Sequence, residues 1–430
     1  MGDVLMKMTK QEKSWILYDW ANSVYATIMM AAVVPIYFST IAKAAGQEGD
    51  FWWSIATMVA MILTAVGAPL IGAFADYWGY KKKLFVFFLV IGLGFTTFSA
   101  ITLNWVGLMI GYAVSHMAFN AGNLIYDSFL PDVTTRDRMD KISGYGYAFG
   151  YIGGSTIPFI VSIALIQFGD KIGLTGTLPV QISIGIAVVW WLLFSIPFLK
   201  NIKQTHGIDK PQTGVFEETF GNAIKTAVKI FHDKKIFYFV IAYFFYIDGV
   251  GTVITMSTAY GSTLGLDATG MILALLVTQL VAFPCSIIFG NIAKKIGSLK
   301  MLMVAITVYL AVCIVGFIMG FGLEEQWFGT DTALVLFWTL AVMVGTVQGG
   351  IQALSRSYFG KIIPPENAGE FFGFFDIFGK FAAIIGPGLY AITKSVTGRS
   401  SFAILSLVLL FAVALIIMMV GKKHFGSEPE

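Results

Sequence analysis

Long apolar blocks separated by short polar connections occupy almost the whole chain. Each block is close to the roughly 20 residues that an α-helix needs to cross a bilayer. The blocks lie at 14–43, 51–75, 84–104, 105–130, 141–168, 178–199, 235–262, 267–291, 300–321, 331–360, 366–396 and 400–421. The pattern predicts an all-α integral membrane protein with twelve transmembrane helices.

Composition and charge agree with this prediction. The 430 residues are 57% hydrophobic and only 12% charged, whereas soluble domains contain about 25% charged residues. Most of the 28 Lys and Arg lie on one side of the predicted spans, and the other side has only Lys43, Lys171, Lys394 and Arg399. The positive-inside rule therefore places both termini in the cytoplasm. The multi-pass protein is expected in a bacterial inner membrane, or in a vacuolar-type membrane if the source is eukaryotic.

An internal repeat divides the chain into two halves. The same offset of 229 residues relates Asp19 to Asp248, Asn123 to Gln352, and Asp127 to Arg356. We therefore predict an N-terminal six-helix bundle at 1–199 and a C-terminal one at 235–430. The segment between them, 200–234, is polar and is predicted to be a cytoplasmic linker. Phe216, Phe220 and Phe231 recur there at helical spacing, which suits a helix on the membrane surface; a disordered tether is the alternative.

One connection carries a motif. The stretch "GAFADYWGYKKK" contains Gly72, Asp76, Gly79, Lys81 and Lys83. This pattern resembles the loop motif of the major facilitator superfamily, and Gly290, Gly297 and Lys300 resemble its weaker second copy. The resemblance implies glycines that let helix ends approach, an acid that caps a neighbouring helix and cations that stay in the cytoplasm. It also implies two pseudo-symmetric six-helix bundles, with the motif setting the inward–outward equilibrium.

Three further stretches narrow the resemblance. These are "YDWANSVYAT" (18–27), "YIDGVGT" (246–252) and "GGIQALSRSYFGKIIP" (349–364). They are similar to the vacuole-effluxer branch of that superfamily, which is related to autophagy-linked amino acid exporters. This resemblance implies a secondary active transporter, with an amino acid or related small polar metabolite as the favoured substrate. A sugar or glycoside–cation symporter is the alternative.

Polar side chains cluster on four of the predicted spans. On the fourth span, His116, Asn120, Asn123 and Asp127 share one helical face. The resemblance implies that spans 1, 4, 7 and 10 line a central pathway. The polar positions fall on those same helices. The predicted substrate and coupling residues are Tyr18, Asp19, Asn22, Tyr25, His116, Asn120, Asn123, Asp248, Thr252, Gln348 and Gln352.

Two of these acids are candidates for ion coupling. A charge near the centre of a bilayer costs about 2.5–3.5 kcal/mol on insertion scales. A carboxylate at this depth is therefore expected to have a function, to be paired or to lie near water. Asp19 and Asp248 have no cation at an obvious spacing, which favours coupling to a proton. A metal-cation site and a structural hydrogen bond remain open for Asp19, and His116 is either a buried interior residue or a proton relay.

Four other charged residues are predicted to form gating or ion pairs. Asp127 and Arg356 occupy equivalent positions in the two halves, so they either pair across the pathway or each pair within its own half. Asp376 and Lys380 are spaced i, i+4 on one helix and are expected to neutralise each other.

Several functional classes are excluded by what the sequence lacks. It contains no phosphate-binding GxxxxGK[ST] loop and no HExxH or GxSxG signature. Cys285 and Cys313 lie in predicted spans without metal-ligand spacing. We therefore predict a monomeric transporter without cofactor, metal or nucleic acid. Its partners are a small-molecule substrate, a coupling proton (or Na⁺) and membrane lipid. A non-transporting sensor and a membrane-embedded enzyme are the alternatives of a different class.

Overall fold

The computed structural model is all-helical. It describes residues 8–211 and 214–425. Within these ranges the description of side chains leaves out positions 50, 155, 216, 268, 269, 272 and 381–383. The predicted apolar position 216 of the linker therefore lies outside the described side chains, and everything below concerns the described part of the chain.

Seventeen α-helices follow one another along the described chain. They are α1 Lys10–Tyr25, α2 Val33–Ala44, α3 Gly49–Asp76, α4 Lys81–Ile101, α5 Trp105–Ser128, α6 Leu130–Val133, α7 Met139–Phe149, α8 Ile157–Phe168, α9 Leu178–Asn201, α10 Val215–His232, α11 Lys234–Thr263, α12 Ala268–Ile296, α13 Ser298–Glu324, α14 Thr330–Ile362, α15 Ala368–Thr397, α16 Ser400–Ser406 and α17 Val408–Phe425. Two π-helical segments, Ala26–Ala32 and Gly150–Thr156, join α1 to α2 and α7 to α8.

Local capping explains where several of these helices begin. Thr9 and Glu12 form a reciprocal capping box at the start of α1, with distances of 2.8 and 3.1 Å. Asn104 accepts the Gly107 N–H at 2.7 Å before α5. Asp233 accepts the Lys235 and Ile236 N–H groups and so starts α11. These short polar signals separate apolar stretches that would otherwise run together.

Eleven of the described helical stretches are long and apolar enough to cross a membrane. The predicted fourth span, α5, has 24 residues but is not among the eleven. Its polar face, which carries His116, Asn120, Asn123 and Asp127, lowers its hydropathy. The chain is therefore a multi-pass membrane protein, and the count of twelve spans stays a prediction.

Contacts between α-carbons divide the chain into two compact units. The first comprises the described residues of Met1–Thr134, Phe149–Ile224 and Pro364–Phe374, and the second those of Thr135–Ala148, Lys225–Ile363 and Phe375–Glu430. The units follow the two halves of the sequence except at two short segments, 135–148 and 364–374. Each of these segments packs with the opposite half of the sequence. The predicted division at 199 and 235 stays a prediction.

The linker contains the helix α10. Its buried positions, Thr219, Ala223, Thr226 and Ile230, follow helical spacing along one face. A second face exposes Phe220, Ile224, Val228 and Phe231. A helix with one face against protein and an apolar face left open suits the boundary of a bilayer.

Candidate functional site

In the first unit, the polar run of α1 packs against α5. The Asn22 side-chain amide donates to the Asn123 carbonyl oxygen at 2.8 Å. The Tyr25 hydroxyl lies 2.7 Å from the Ser115 hydroxyl. Trp15 and Tyr126 exchange two hydrogen bonds, each from a side chain to the other residue's backbone carbonyl, at 3.1 and 3.2 Å. The polar residues of this run therefore join two helices instead of facing lipid.

The predicted aromatic site residues are packing residues in this structure. Tyr18 is fully buried between Phe85 and Tyr126, and its hydroxyl accepts a hydrogen bond from Trp191 at 3.4 Å. Tyr25 is fully buried and stacks on Phe119. A ligand would reach these rings only if the neighbouring helices moved.

The remaining polar side chains of this unit lie on the same two helices. Asp19 and His116 are buried, whereas Asp127 is half-buried. Asn120 is also half-buried, and its side-chain nitrogen has no hydrogen-bond partner among the described residues. This buried donor is a candidate for contact with a polar ligand.

Two π-helical segments border this polar run, and the sequence patterns did not predict them. The first continues directly from α1. The second, Gly150–Thr156, packs on α1: a methyl at Gly150 would lie 2.7 Å from the Ser23 hydroxyl oxygen, and one at Gly154 would lie 2.4 Å from the Ser23 Cβ. π-Helical turns are frequent at functional sites. The cluster of three glycines in "GYIGGST" (150–156) was the signal available in the sequence.

In the second unit, Asp248 lies where α11 and α15 approach each other closely. It is 1% exposed, its carboxylate lies near the Gly386 backbone N–H and the Thr252 hydroxyl, and it has no cationic partner among the described residues. A methyl at Gly386 of α15 would lie 2.8 Å from Asp248 Oδ1 and 2.0 Å from Thr252 Oγ1. Pro387 follows inside α15 and removes a helical N–H donor. The carboxylate therefore lies against a stretch of helix that lacks one backbone hydrogen bond. The sequence signal of this stretch is Gly-Pro-Gly (386–388).

The glutamines of α14 lie in the same unit. Gln348 is buried and lines a cavity of about 100 Å³ together with Gln279, Ser257 and mostly apolar side chains. Gln352 is half-buried, and its amide donates to the Gln348 backbone carbonyl at 3.2 Å. The amides thus place hydrogen-bonding groups inside an otherwise apolar helix bundle.

Three of the four predicted charged residues form pairs or contacts inside this unit. Lys380 donates to the Asp376 carboxylate within α15. Arg356 donates to the Ser143 hydroxyl at 2.9 Å, and its guanidinium lies 4.5 Å from the centre of the Tyr147 ring. Asp127 belongs to the first unit, and its pairing with Arg356 stays a prediction.

The loop motif forms a tight contact in the first unit. The Asp76 carboxylate accepts the Gly369 and Glu370 backbone N–H groups at 2.7 and 2.9 Å, so it caps the start of α15. Gly72 makes this approach possible, because a methyl there would lie 2.1 Å from the Gly369 carbonyl oxygen. Gly79 has a positive φ of 76° and turns the chain into α4. Lys83 is exposed over the Tyr80 ring.

Lys81 of the motif is buried in the protein at the start of α4, and its expected cytoplasmic position stays a prediction. Its side chain is fully buried, with the ammonium 2.8 Å from the Asp132 carboxylate and 5.3 Å from the centre of the Phe129 ring. An opposite charge and a hydrogen-bond acceptor compensate for the lost hydration.

Asp132 is a residue that the sequence patterns missed. Its other carboxylate oxygen accepts the Thr205 and His206 backbone N–H groups, both at 2.7 Å, so it fastens the start of the linker. Burial pushes the pKa of Asp132 upward. Lys81 and the hydrogen bonds from His206, Lys81 and Thr205 outweigh that effect and hold the pKa below its usual value.

Lys361, 229 residues after Asp132, was missed in the same way. Its buried ammonium pairs with the Asp140 carboxylate, which also accepts the Ser298 and Ser357 hydroxyls at 2.8 and 2.6 Å. The repeat offset that relates Asp132 to Lys361 was the signal in the sequence.

No group of three His, Cys, Asp or Glu residues within the described ranges could hold a metal ion. The polar side chains described above offer carboxylates, amides and hydroxyls. These groups suit the binding of polar solutes and the transfer of protons.

Comparison with known proteins identifies the family. The profile described as "Vacuole effluxer Atg22 like" matches residues 53–427. The chain belongs to this family. The Atg22-like chain is 42% identical over 422 residues to the "Uncharacterized MFS-type transporter YxiO" of Bacillus subtilis (strain 168), covering 96% of this chain and 95% of that protein. The Atg22-like chain is an MFS-type transporter, and its relatives are transporters rather than enzymes.

Fungal relatives are more distant. "Autophagy-related protein 22" of Botryotinia fuckeliana (strain B05.10) is 24% identical over 320 residues, which cover 67% of the Atg22-like chain and 51% of the fungal protein. The match thus spans about half of that protein's length.

A solved structure shares the fold. The crystal structure of the human organic anion transporter MFSD10 (TETRAN) matches with a TM-score of 0.72, at 10% identity, over 95% of this chain and 99% of that one. At this identity the likeness concerns the fold alone.

Proposed function

We propose that this Atg22-like protein is a proton-coupled secondary transporter that moves a small polar metabolite, with amino acids favoured, by alternating access. The family description contains the word effluxer, which supports export as the direction. The observation that carries the proposal is Asp248, a buried carboxylate without a cationic partner among the described residues.

The chemistry of Asp248 supports the coupling step. An ionised carboxylate without a cationic partner inside a membrane helix costs free energy, so its charge depends on whether water reaches it. A group of this kind is suited to hold a proton in one conformation and release it in another. Asp19 is its equivalent in the repeat and is the second candidate for this role.

Contacts between the two halves of the sequence support alternating access. Asp76 holds the start of α15, and Asp140 holds Lys361 at the end of α14. Both contacts lie on the side of the spans that is rich in Lys and Arg. We propose that they break when the substrate pathway opens on that side.

Reconstituted protein tests the coupling. A thermal-shift screen of amino acids, glycosides and nucleosides identifies a substrate, whose transport is then measured in proteoliposomes with and without a pH gradient. Asp248→Asn and Asp19→Asn are compared with Asp331→Asn, an exposed acid in the first turn of α14. We expect the pH gradient to drive transport by the parent protein and by Asp331→Asn. The asparagine variant of the acid that couples the proton, Asp248 or Asp19, is expected to exchange substrate but no longer to respond to the gradient.

Other outcomes would point elsewhere. Transport with the parent's pH response in both Asp248→Asn and Asp19→Asn would exclude these acids from coupling. Sodium-driven transport that persists without a pH gradient would support the glycoside–cation alternative. Binding without any transport would indicate a sensor.

A further inference from the structure

A groove outside the candidate transport site lies between α13 and α17 in the second unit. It has a volume of about 300 Å³, within the range of small-molecule sites. Lys300 and Lys422 line it, and its apolar floor includes Met303, Met418 and Phe425. The groove thus combines cationic and apolar groups.

Both lysines lie at the same depth. α13 and α17 run side by side, and the Tyr309 ring stacks on the Phe411 ring at 5.4 Å. From that contact, Lys300 is nine residues toward the start of α13 and Lys422 is eleven toward the end of α17. At 1.5 Å per residue these distances are about 14 and 16 Å. The two lysines therefore lie at similar depth at the Lys/Arg-rich ends of two membrane helices, and both line the groove.

The local charge is positive. In the described part of the chain neither Lys300 nor Lys422 has an ion-pair or hydrogen-bond partner, and both are exposed. The acid that contacts the start of α13, Asp140, is already paired with Lys361.

Apolar surface continues from the lysines toward the middle of the helices. Val304 is 48% exposed and Met419 is 58% exposed. Each lies about one turn from a lysine of the groove, on the side of the bilayer core. An occupant that suits this groove has an anionic head for the lysines and an apolar chain that follows the helices.

We propose that this groove binds an anionic glycerophospholipid, with its phosphate between Lys300 and Lys422 and an acyl chain along Met303, Val304 and Met419. The cytoplasmic leaflet, where the positive-inside rule places this end of the helices, supplies anionic lipids. The site does not involve the transported substrate, so the lipid proposal and the proposed function can be tested separately.

The test uses the full chain in a neutral detergent. Binding of dioleoyl phosphatidylglycerol, dioleoyl phosphatidylcholine and inorganic phosphate is measured by native mass spectrometry and by the shift of the thermal unfolding midpoint. Lys300→Gln with Lys422→Gln is compared with Lys43→Gln and Lys171→Gln, which removes two exposed lysines on the other side of the spans. We expect the groove variant to bind phosphatidylglycerol about 30-fold more weakly, from about 1 kcal/mol for each lysine, and the control variant to change less than about twofold.

A charge-preserving variant covers the case in which the glutamine variant does not fold. Lys300→Arg with Lys422→Arg is expected to keep the preference for phosphatidylglycerol over phosphatidylcholine. The proposal is overturned by equal binding of both lipids to the parent, or by full phosphatidylglycerol affinity in the folded glutamine variant. An equal shift of the unfolding midpoint with inorganic phosphate would show a site for a soluble anion instead of a lipid.

Discussion

At the scale of single residues, buried ion pairs carry the largest effects. Lys81 and Asp132 are both buried, and each compensates for the charge of the other. A buried pair adds little net stability over apolar packing, but removing one member leaves the other charge buried without compensation. Asp132 also holds the linker at Thr205 and His206 through hydrogen bonds. Loss of this carboxylate therefore weakens both the contact with α4 and the start of the linker.

Replacement of Asp132 by Asn tests this account. The variant keeps the shape but leaves Lys81 without a carboxylate, which is expected to cost about 3–5 kcal/mol. The thermal unfolding midpoint of the purified protein measures the effect. Asp137→Asn, an exposed acid 3.9 Å from Lys294, is the control and should change little. An equal loss in both variants would contradict the role of burial.

The same pair predicts a pH dependence. The folded pKa of Asp132 lies below the ordinary 3.8, so its contribution is complete above that value and is lost as the pH falls through the folded pKa. We expect the difference in midpoint between parent and Asp132→Asn to hold at mildly acidic pH and to shrink below about pH 4. Because His206 faces the same carboxylate at 3.2 Å, the series is repeated in His206→Gln. A difference that stays unchanged as the pH falls well below about 4 would contradict the prediction.

At the scale of helices, the internal repeat places two glycine crossings at equivalent positions. In the first unit α3 and α15 cross at Gly72 and Gly373, and in the second unit α7 and α12 cross at Gly144 and Gly290. A methyl at Gly373 would lie 2.6 Å from the Ala68 carbonyl oxygen, and one at Gly144 would lie 2.8 Å from the Ser286 carbonyl oxygen. The neighbouring atoms are backbone, so they cannot turn aside as a flexible side chain could.

Valine at either crossing should push the helices apart. We expect Gly373→Val and Gly144→Val each to cost about 1–3 kcal/mol from overpacking, seen as a lower unfolding midpoint. Gly94→Val on α4 is the matched control, because a side chain there meets open space. Equal midpoints for the crossing variants and the control would show that the close approach is not required.

At the scale of the whole molecule, the two halves of the sequence hold each other through the segments 135–148 and 364–374. Asp76 from the first half caps Gly369 and Glu370, and Lys361 from the second half pairs with Asp140. These contacts lie inside the compact units, so neither half of the sequence contains a complete unit.

Cutting the linker tests this arrangement. Pieces 1–211 and 212–430, co-expressed with different tags, are expected to purify together, because each unit needs residues from both pieces. Lys361→Met leaves Asp140 without its cation and should lower the recovered complex several-fold. Lys294→Met, at an exposed lysine, serves as the control and should not. Separate purification of the unmodified pieces would contradict the shared units.

The sequence by itself determined the membrane class, the repeat and the helices that carry polar groups, because apolar length, charge asymmetry and offset are properties of the linear chain. It also predicted an acid that caps a neighbouring helix, though not which helix. Only the tertiary structure decided that Asp76 reaches Gly369, that Lys81 is buried on Asp132, and that Asp248 lies against Gly386. Such contacts join residues far apart in the chain, and their strength depends on burial and distance, which no local pattern records.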